Sequence, residues 1–242
     1  MPKIKFQAHP DVLSVAPHPK PAKKFVPDWY KKMAMTDKCP VTMQGGKSHV
    51  IDTISTIKKC MPVRDYLTSG YIIPAWVDIK ISTDSEGKYQ NRSRVPEAFK
   101  GSYSIGCEWH GIEQLKGSPL ENFIDGEKCL KLVSPWTITT PKGYSTFFTS
   151  PFYTEGDITI LPAIVDTDLH PTPVNFPCIL NSNECFAKRG TPLIQAFPFK
   201  RENWDSEVSE VNLKKSSKAS FNFTSVLESV YTTDYWQKKR YR

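Results

Sequence analysis

Twenty prolines are spread along a chain of 242 residues, so few stretches could carry an unbroken helix. The segments between them favour strands. There are 13 Phe, 10 Tyr and 6 Trp but only 12 glycines, a mix that suits short strands joined by turns. From "SYSIGCEWH" (102–110) onward, apolar runs alternate with turn residues at a spacing of roughly 8–12 residues. The runs are "KCLKLVSPWTITTP", "GYSTFFTSPFY", "ITILPAIVDTD", "VNFPCIL" and "ECFAKRGTPLIQAFPFKRE". This rhythm predicts a mainly β fold. "YIIPAWVDIKIST" (71–83) reads as a further strand, with Ile79 and Ile81 flanking Lys80.

The rest of the chain divides around that core, expected at 70–204. Residues 1–69 read as a basic N-terminal arm with short helices. "VPDWYKKM" (26–33) is opened by Pro27 and Asp28, and 34–50 reads as loop. Residues 52–70 read as one helix or two short ones, broken at Pro62 and closed by Gly70. Residues 205–242 read as a polar linker followed by a C-terminal helix. Phe223, Val226, Leu227, Val230 and Tyr231 fall at helical spacing in that helix.

Charge is unevenly shared. Residues 1–100 carry 17 Lys and Arg against 9 Asp and Glu, residues 101–200 carry 7 against 10, and residues 201–242 carry 8 against 6. Basic flanks around a mildly acidic middle suit nucleic acid or an acidic partner. They equally suit a charged surface that keeps a protein in solution. "MPKIKFQAHPDV" lacks the apolar core of an export signal, and no run approaches the roughly 18 apolar residues of a membrane span. A cytoplasmic protein without a membrane partner is expected. The six cysteines form no CxxC pair and read as reduced thiols. "GGKS" (45–48) is like the end of a phosphate loop, but Val41 stands where the first glycine belongs.

The stretch "AIVDTDLHPTPVNFP" (163–177) holds the densest candidate chemistry. Asp166 and Asp168 form a carboxylate pair behind an apolar run, and His170 follows between them and two prolines. Two carboxylates can serve acid–base work. They can equally accept backbone N–H groups in a turn that Pro171 ends. His170, a potential base or ligand, reads more simply as a turn residue. An iron site would need His110 and His170 to converge, and nothing in their spacing promotes that.

Taken together, "SPWTITTPKGYSTFFTSPFY", "ILPAIVDTDLHPTPVNFPCILN", "FAKRGTPLIQAFPFKRE", "TIKKCMPVRDYLTSGYIIP" and "VPDWYKKM" resemble a family of bacterial and phage proteins. That resemblance brings no activity. The order of pieces is also similar, more distantly, to the deoxyuridine triphosphatase and deoxycytidine triphosphate deaminase superfamily. This implies a β-clip-like core. The lead-in is Pro141 to Gly143, the serine motif is "FTSPF" with Ser150, the aspartate motif is "AIVDTDL", and the glutamine motif is "GTPLIQ" with Gln195.

By that resemblance Asp166 would orient an attacking water, Ser150 and Gln195 would hold phosphate, and Mg²⁺ would bridge the phosphates. Asp168, His170 and Gln195 would line the ligand site beside Asp166. The departures are several. Position 169 is Leu where a tyrosine stacks under the sugar. Thr149 replaces the arginine before the serine, and Thr191 replaces an aspartate. The chain ends "TTDYWQKKRYR" without a glycine-rich closing arm. The expectation is a non-catalytic structural or interaction protein with a degenerate core and no cofactor. It would be encoded by a phage or a bacterium and could be virion-associated, with a protein partner or self-association. The alternative is a diverged deoxynucleotide-binding or deoxynucleotide-hydrolysing protein using Mg²⁺. An iron-dependent oxygenase is the third class.

Overall fold

A computed structural model describes residues 1–42, 48–83, 89–93, 106–109, 112–122, 129–214, 216–217 and 231–242. The chain forms two compact units. One comprises 1–27, 70–201 and 241–242, the other 28–69 and 202–240. The architecture is mainly antiparallel β, as the proline rhythm predicts.

The first unit is built on a five-stranded sheet. Its strands are β2 (Lys20–Pro21), β5 (Tyr71–Pro74), β11 (Tyr144–Thr149), β13 (Ala163–Val165) and β16 (Pro192–Lys200), in the order β13-β11-β16-β5-β2. The β11–β16 ladder is its backbone, with Tyr144 opposite Lys200 and Thr149 opposite Gln195. A four-stranded sheet contains β8 (Gly106–Trp109), β9 (Cys129–Val133), β12 (Ile158–Ile160) and β14 (Phe176–Leu180). A third joins β6 (Ile79–Thr83), β7 (Tyr89–Asn91) and β15 (Glu184–Ala187), and β1 (Lys5–Gln7) pairs with β10 (Thr137–Thr139).

Alternation explains the core. In β14 Phe176, Cys178 and Leu180 point inward, and in β11 Thr146 and Phe148 do so. They meet Trp76, Trp136, Ile73, Ile138, Ile160 and Ile194, all fully buried. Each such large side chain stabilises the fold by about 1.5–3 kcal/mol. Gly70 admits the chain to β5 with φ +72°, and a Cβ there would meet the Ala196 carbonyl oxygen at 2.3 Å.

Several expectations change in this unit. The N-terminal residues are not a free arm: α1 (Pro10–Val15) and its flank supply Val12 and Ala16 to the core. Apolar residues among prolines and lysines were masked by composition. The run 71–83 is two strands in two sheets, because the chain bends at 75–78. "ILPAIV" likewise splits at Leu161–Pro162 into β12 and β13, where proline interrupts pairing and Ile164 faces solvent.

The second unit contains a hairpin of β3 (Thr36–Thr42) and β4 (Ser48–Ser55). The sequence there reads as loop and helix start. Pro40 opposite Val50 is tolerated in a two-stranded ribbon, where only one side needs hydrogen bonds. Pro62 opens the helix α3 (Met61–Thr68) from its first turn and does not break it. Lys58 Nζ donates to the carbonyls of Lys31 and Met33 at 2.6 and 2.7 Å, tying the segment after β4 to α2 (Asp28–Lys32) and the residue beyond it.

Residues 202–212 have no regular structure, and Trp204 is 86% exposed. Of the expected C-terminal helix, Phe223, Val226, Leu227 and Val230 lie outside the described residues. Tyr231–Tyr235 forms one wide turn, closed by Trp236 N–H on the Tyr231 carbonyl at 2.7 Å. Trp236 Nε1 and Lys239 Nζ then converge on the Asp65 carboxylate at 2.9 and 2.6 Å.

Candidate functional site: an aspartate clasp and an open cleft

Register fixes what surrounds the carboxylate pair. Val165 lies opposite Thr146, so Asp166 leaves β13 beside Ser145. The chain turns there: Leu169 N–H and His170 N–H both donate to the Asp166 carbonyl at 2.9 Å. Thr167 is fully buried inside the turn and shares its hydroxyl with Thr140 and Thr146 at 2.8 and 2.9 Å. His170 donates from Nδ1 to the Thr172 carbonyl at 2.9 Å, which makes it a turn residue here.

Arg201 closes the cluster. Its N–H donates to the Gly143 carbonyl at 2.8 Å, just beyond the β11–β16 ladder. Its guanidinium grips Asp168 with both ends, Nη1 to Oδ1 at 2.7 Å and Nη2 to Oδ2 at 2.6 Å. Gly143 N–H adds a third bond to Asp168 Oδ2 at 2.7 Å. The Asp168 side chain is 2% exposed. Arg201 Nη1 also lies 3.0 Å from Ser145 Oγ and 3.1 Å from Asp166 Oδ1, and Ser145 Oγ donates to that same oxygen at 2.6 Å. Planar two-point pairing is what arginine offers a carboxylate and lysine does not.

The hydrogen bonds from Arg201 hold the Asp168 carboxyl down at about 2, with burial opposing and Gly143 N–H assisting. Asp168 in turn raises Arg201, against desolvation. Arg201 carries no motif of its own in the sequence. The signal that could find it is the pairing of "GYSTFF" with "QAFPFK", which brings position 201 to position 143.

The other candidates lie elsewhere on the ladder. Gln195 is buried opposite Thr149, four residues along β11 from Ser145. At about 3.3 Å per residue that is roughly 13 Å away. Ser150 Oγ accepts Ile160 N–H at 2.7 Å, one residue further on. The structure thus brings Asp166, Asp168 and Arg201 together and leaves Gln195 and Ser150 at the opposite end. His110 lies outside the described residues. Among those described, no three His, Cys, Asp or Glu side chains gather to hold a metal ion. Cys60, Cys107, Cys178 and Cys185 form no disulfide. Burial pushes Cys107 up to about 12, so it is not a nucleophile near neutrality.

At the Ser150 end the surface opens into a cleft of about 520 Å³. Pro151, Ile158, Ala187 and Leu193 are buried side chains that form its floor. Phe152 and Phe186 stand at its edge, 79% and 52% exposed. Glu155 and Asp157 are its charged residues, and its lining includes no lysine, arginine or histidine.

Comparison with protein families and with curated proteins found no match. Fold and site define the class by themselves: a mainly antiparallel β protein with an arginine-locked aspartate turn and an acidic cleft. Among the described residues no helix is long and apolar enough to cross a membrane.

Proposed function

We propose that the protein is a non-catalytic interaction protein, encoded by a phage or a bacterium, whose degenerate hydrolase-like core serves as scaffold. It works in the cytoplasm or as part of a virion, through contacts with a protein partner or with copies of itself. One observation carries this reading. The carboxylates that would do the chemistry are engaged by Arg201, Ser145 and Gly143 N–H. A general base needs a free oxygen within reach of a water and a substrate held beside it. Asp166 Oδ1 receives Ser145 and Arg201, and although Oδ2 accepts no bond among the described residues, the serine and glutamine of the resemblance, which would hold a substrate beside it, stand roughly 13 Å or more along the strand.

The test is pyrophosphate release from each deoxynucleoside triphosphate with Mg²⁺, with thermal denaturation in the same mixtures. A ligand that binds only the folded state raises the melting temperature. Neither turnover nor a shift is expected. Turnover by the wild-type chain that disappears in Asp166→Asn would overturn the reading in favour of a diverged deoxynucleotide hydrolase.

A further inference from the structure

The cleft at the Ser150 end has a shape and a charge that nothing in the clasp uses. Its volume, about 520 Å³, falls in the range of roughly 300–1,000 Å³ typical of ligand sites. It exceeds one side chain and suits a side chain with its flanking backbone. Its walls are fixed before anything binds. Asn181 donates from its backbone N–H to the Asp157 carbonyl at 2.8 Å and from Nδ2 to the Gly156 carbonyl at 2.8 Å, and accepts from Thr159 Oγ1 at 3.0 Å. Asp157 Oδ2 accepts Phe186 N–H at 3.0 Å, which sets that phenylalanine at the rim. A prearranged wall lowers the ordering cost of binding.

The charge narrows the occupant. Glu155 is exposed at the mouth and makes no hydrogen bond or ion pair among the described residues. With two carboxylates and no cation in the lining, a phosphate would be repelled. A bare inorganic cation would not use the apolar floor. A lysine or arginine side chain fits both parts. Its methylene stem lies along Pro151, Ile158 and Leu193 while its charged head reaches Glu155. Phe152 and Phe186, exposed at the edge, put aromatic surface beside the same charge.

We infer that this cleft is a docking site for a lysine- or arginine-bearing peptide segment of a partner protein. The inference rests on the interaction reading above and names the chemistry of the partner.

The experiment is an NMR titration of the ¹⁵N-labelled full chain with acetyl-Lys-Leu-Lys-amide. Acetyl-Glu-Leu-Glu-amide is the control. The lysine peptide should move amide signals of 150–159 and 181–193 and the glutamate peptide should not. Affinity should fall about tenfold in Glu155→Lys and severalfold in Glu155→Gln and in Phe152→Ala, and should weaken with added salt. Both positions carry exposed side chains, and unchanged signals elsewhere would certify the fold. Equal binding of both peptides, signal changes confined to other surfaces, or silence at millimolar peptide would overturn the inference. The two proposals fail separately: a silent cleft in a chain without turnover sinks only the docking site, whereas deoxynucleotide turnover sinks the interaction reading.

Discussion

At the Arg201 end of the β11–β16 ladder, opposite charges neutralise one another inside the chain. At the Ser150 end, some 13 Å or more along the same two strands, two carboxylates line one cleft and Glu155 stands exposed. One end has an arginine and two carboxylates in mutual contact. The other has two carboxylates and no cation in its lining. A charge without a partner costs little at an exposed surface and a great deal where it is buried. The first end is therefore organised to hold the fold, and the second has charge to offer another molecule.

The most forceful way to break this contrast is Arg201→Ala. It would leave Asp168 buried without its partner, and removing one member of a buried pair is far worse than never having had it. The melting temperature should fall by on the order of 5–10 °C, with Arg201→Lys in between because it keeps the charge and loses the fork. Phe152→Ala, at the open end, should move it by no more than about 2 °C. Equal losses from Arg201→Ala and Phe152→Ala in thermal denaturation would erase the distinction.

Acid unfolding sharpens it next. Asp168 is held at about 2, below its ordinary 3.8. Its folded form is the weaker proton binder, so its contribution is complete above the ordinary value. It is lost as pH falls through the window between about 4 and about 2. Urea unfolding in that window should show wild-type stability falling more steeply with acid than that of Asp168→Asn. Identical slopes would mean that the clasp does not control the acid limb. A smaller effect than that of Arg201→Ala belongs to Asp166→Asn. Asp166 is 56% exposed and asparagine can still accept from Ser145. The expected loss is roughly 0.5–2 kcal/mol in chemical denaturation, and a loss matching that of Arg201→Ala would make Asp166 the centre of the cluster.

Much of the strand content could be read from the sequence, because alternation in "FPCIL" and the glycine–proline turn before Leu193 act locally. Leu193, which follows Gly190 and Pro192, is buried. What could not be read depends on partners distant in sequence. The pairing of β3 with β4 hides behind Pro40 and a polar composition that usually means loop. Val12 and Ala16 enter the core from a stretch whose prolines and lysines suggest an exposed arm. The turn role of Asp166 and Asp168 follows from residue type and the following prolines. The identity of their cation does not, since Arg201 lies 33 residues beyond Asp168 and arrives only through the register of two strands.

The segment 202–212 has an optical consequence. The indoles of Trp76 and Trp136 sit in an apolar interior, whereas that of Trp204 stands in water. A buried indole emits toward the blue and is shielded from collisional quenchers, and a hydrated one emits toward the red and is open to them. Excitation at the red edge, combined with acrylamide quenching, therefore favours Trp204, and with it the less exposed Trp29, against those two buried rings. The chain carries its own fluorescent reporter on the exposed segment, and anything that settles on that segment would shift its colour without a dye being attached.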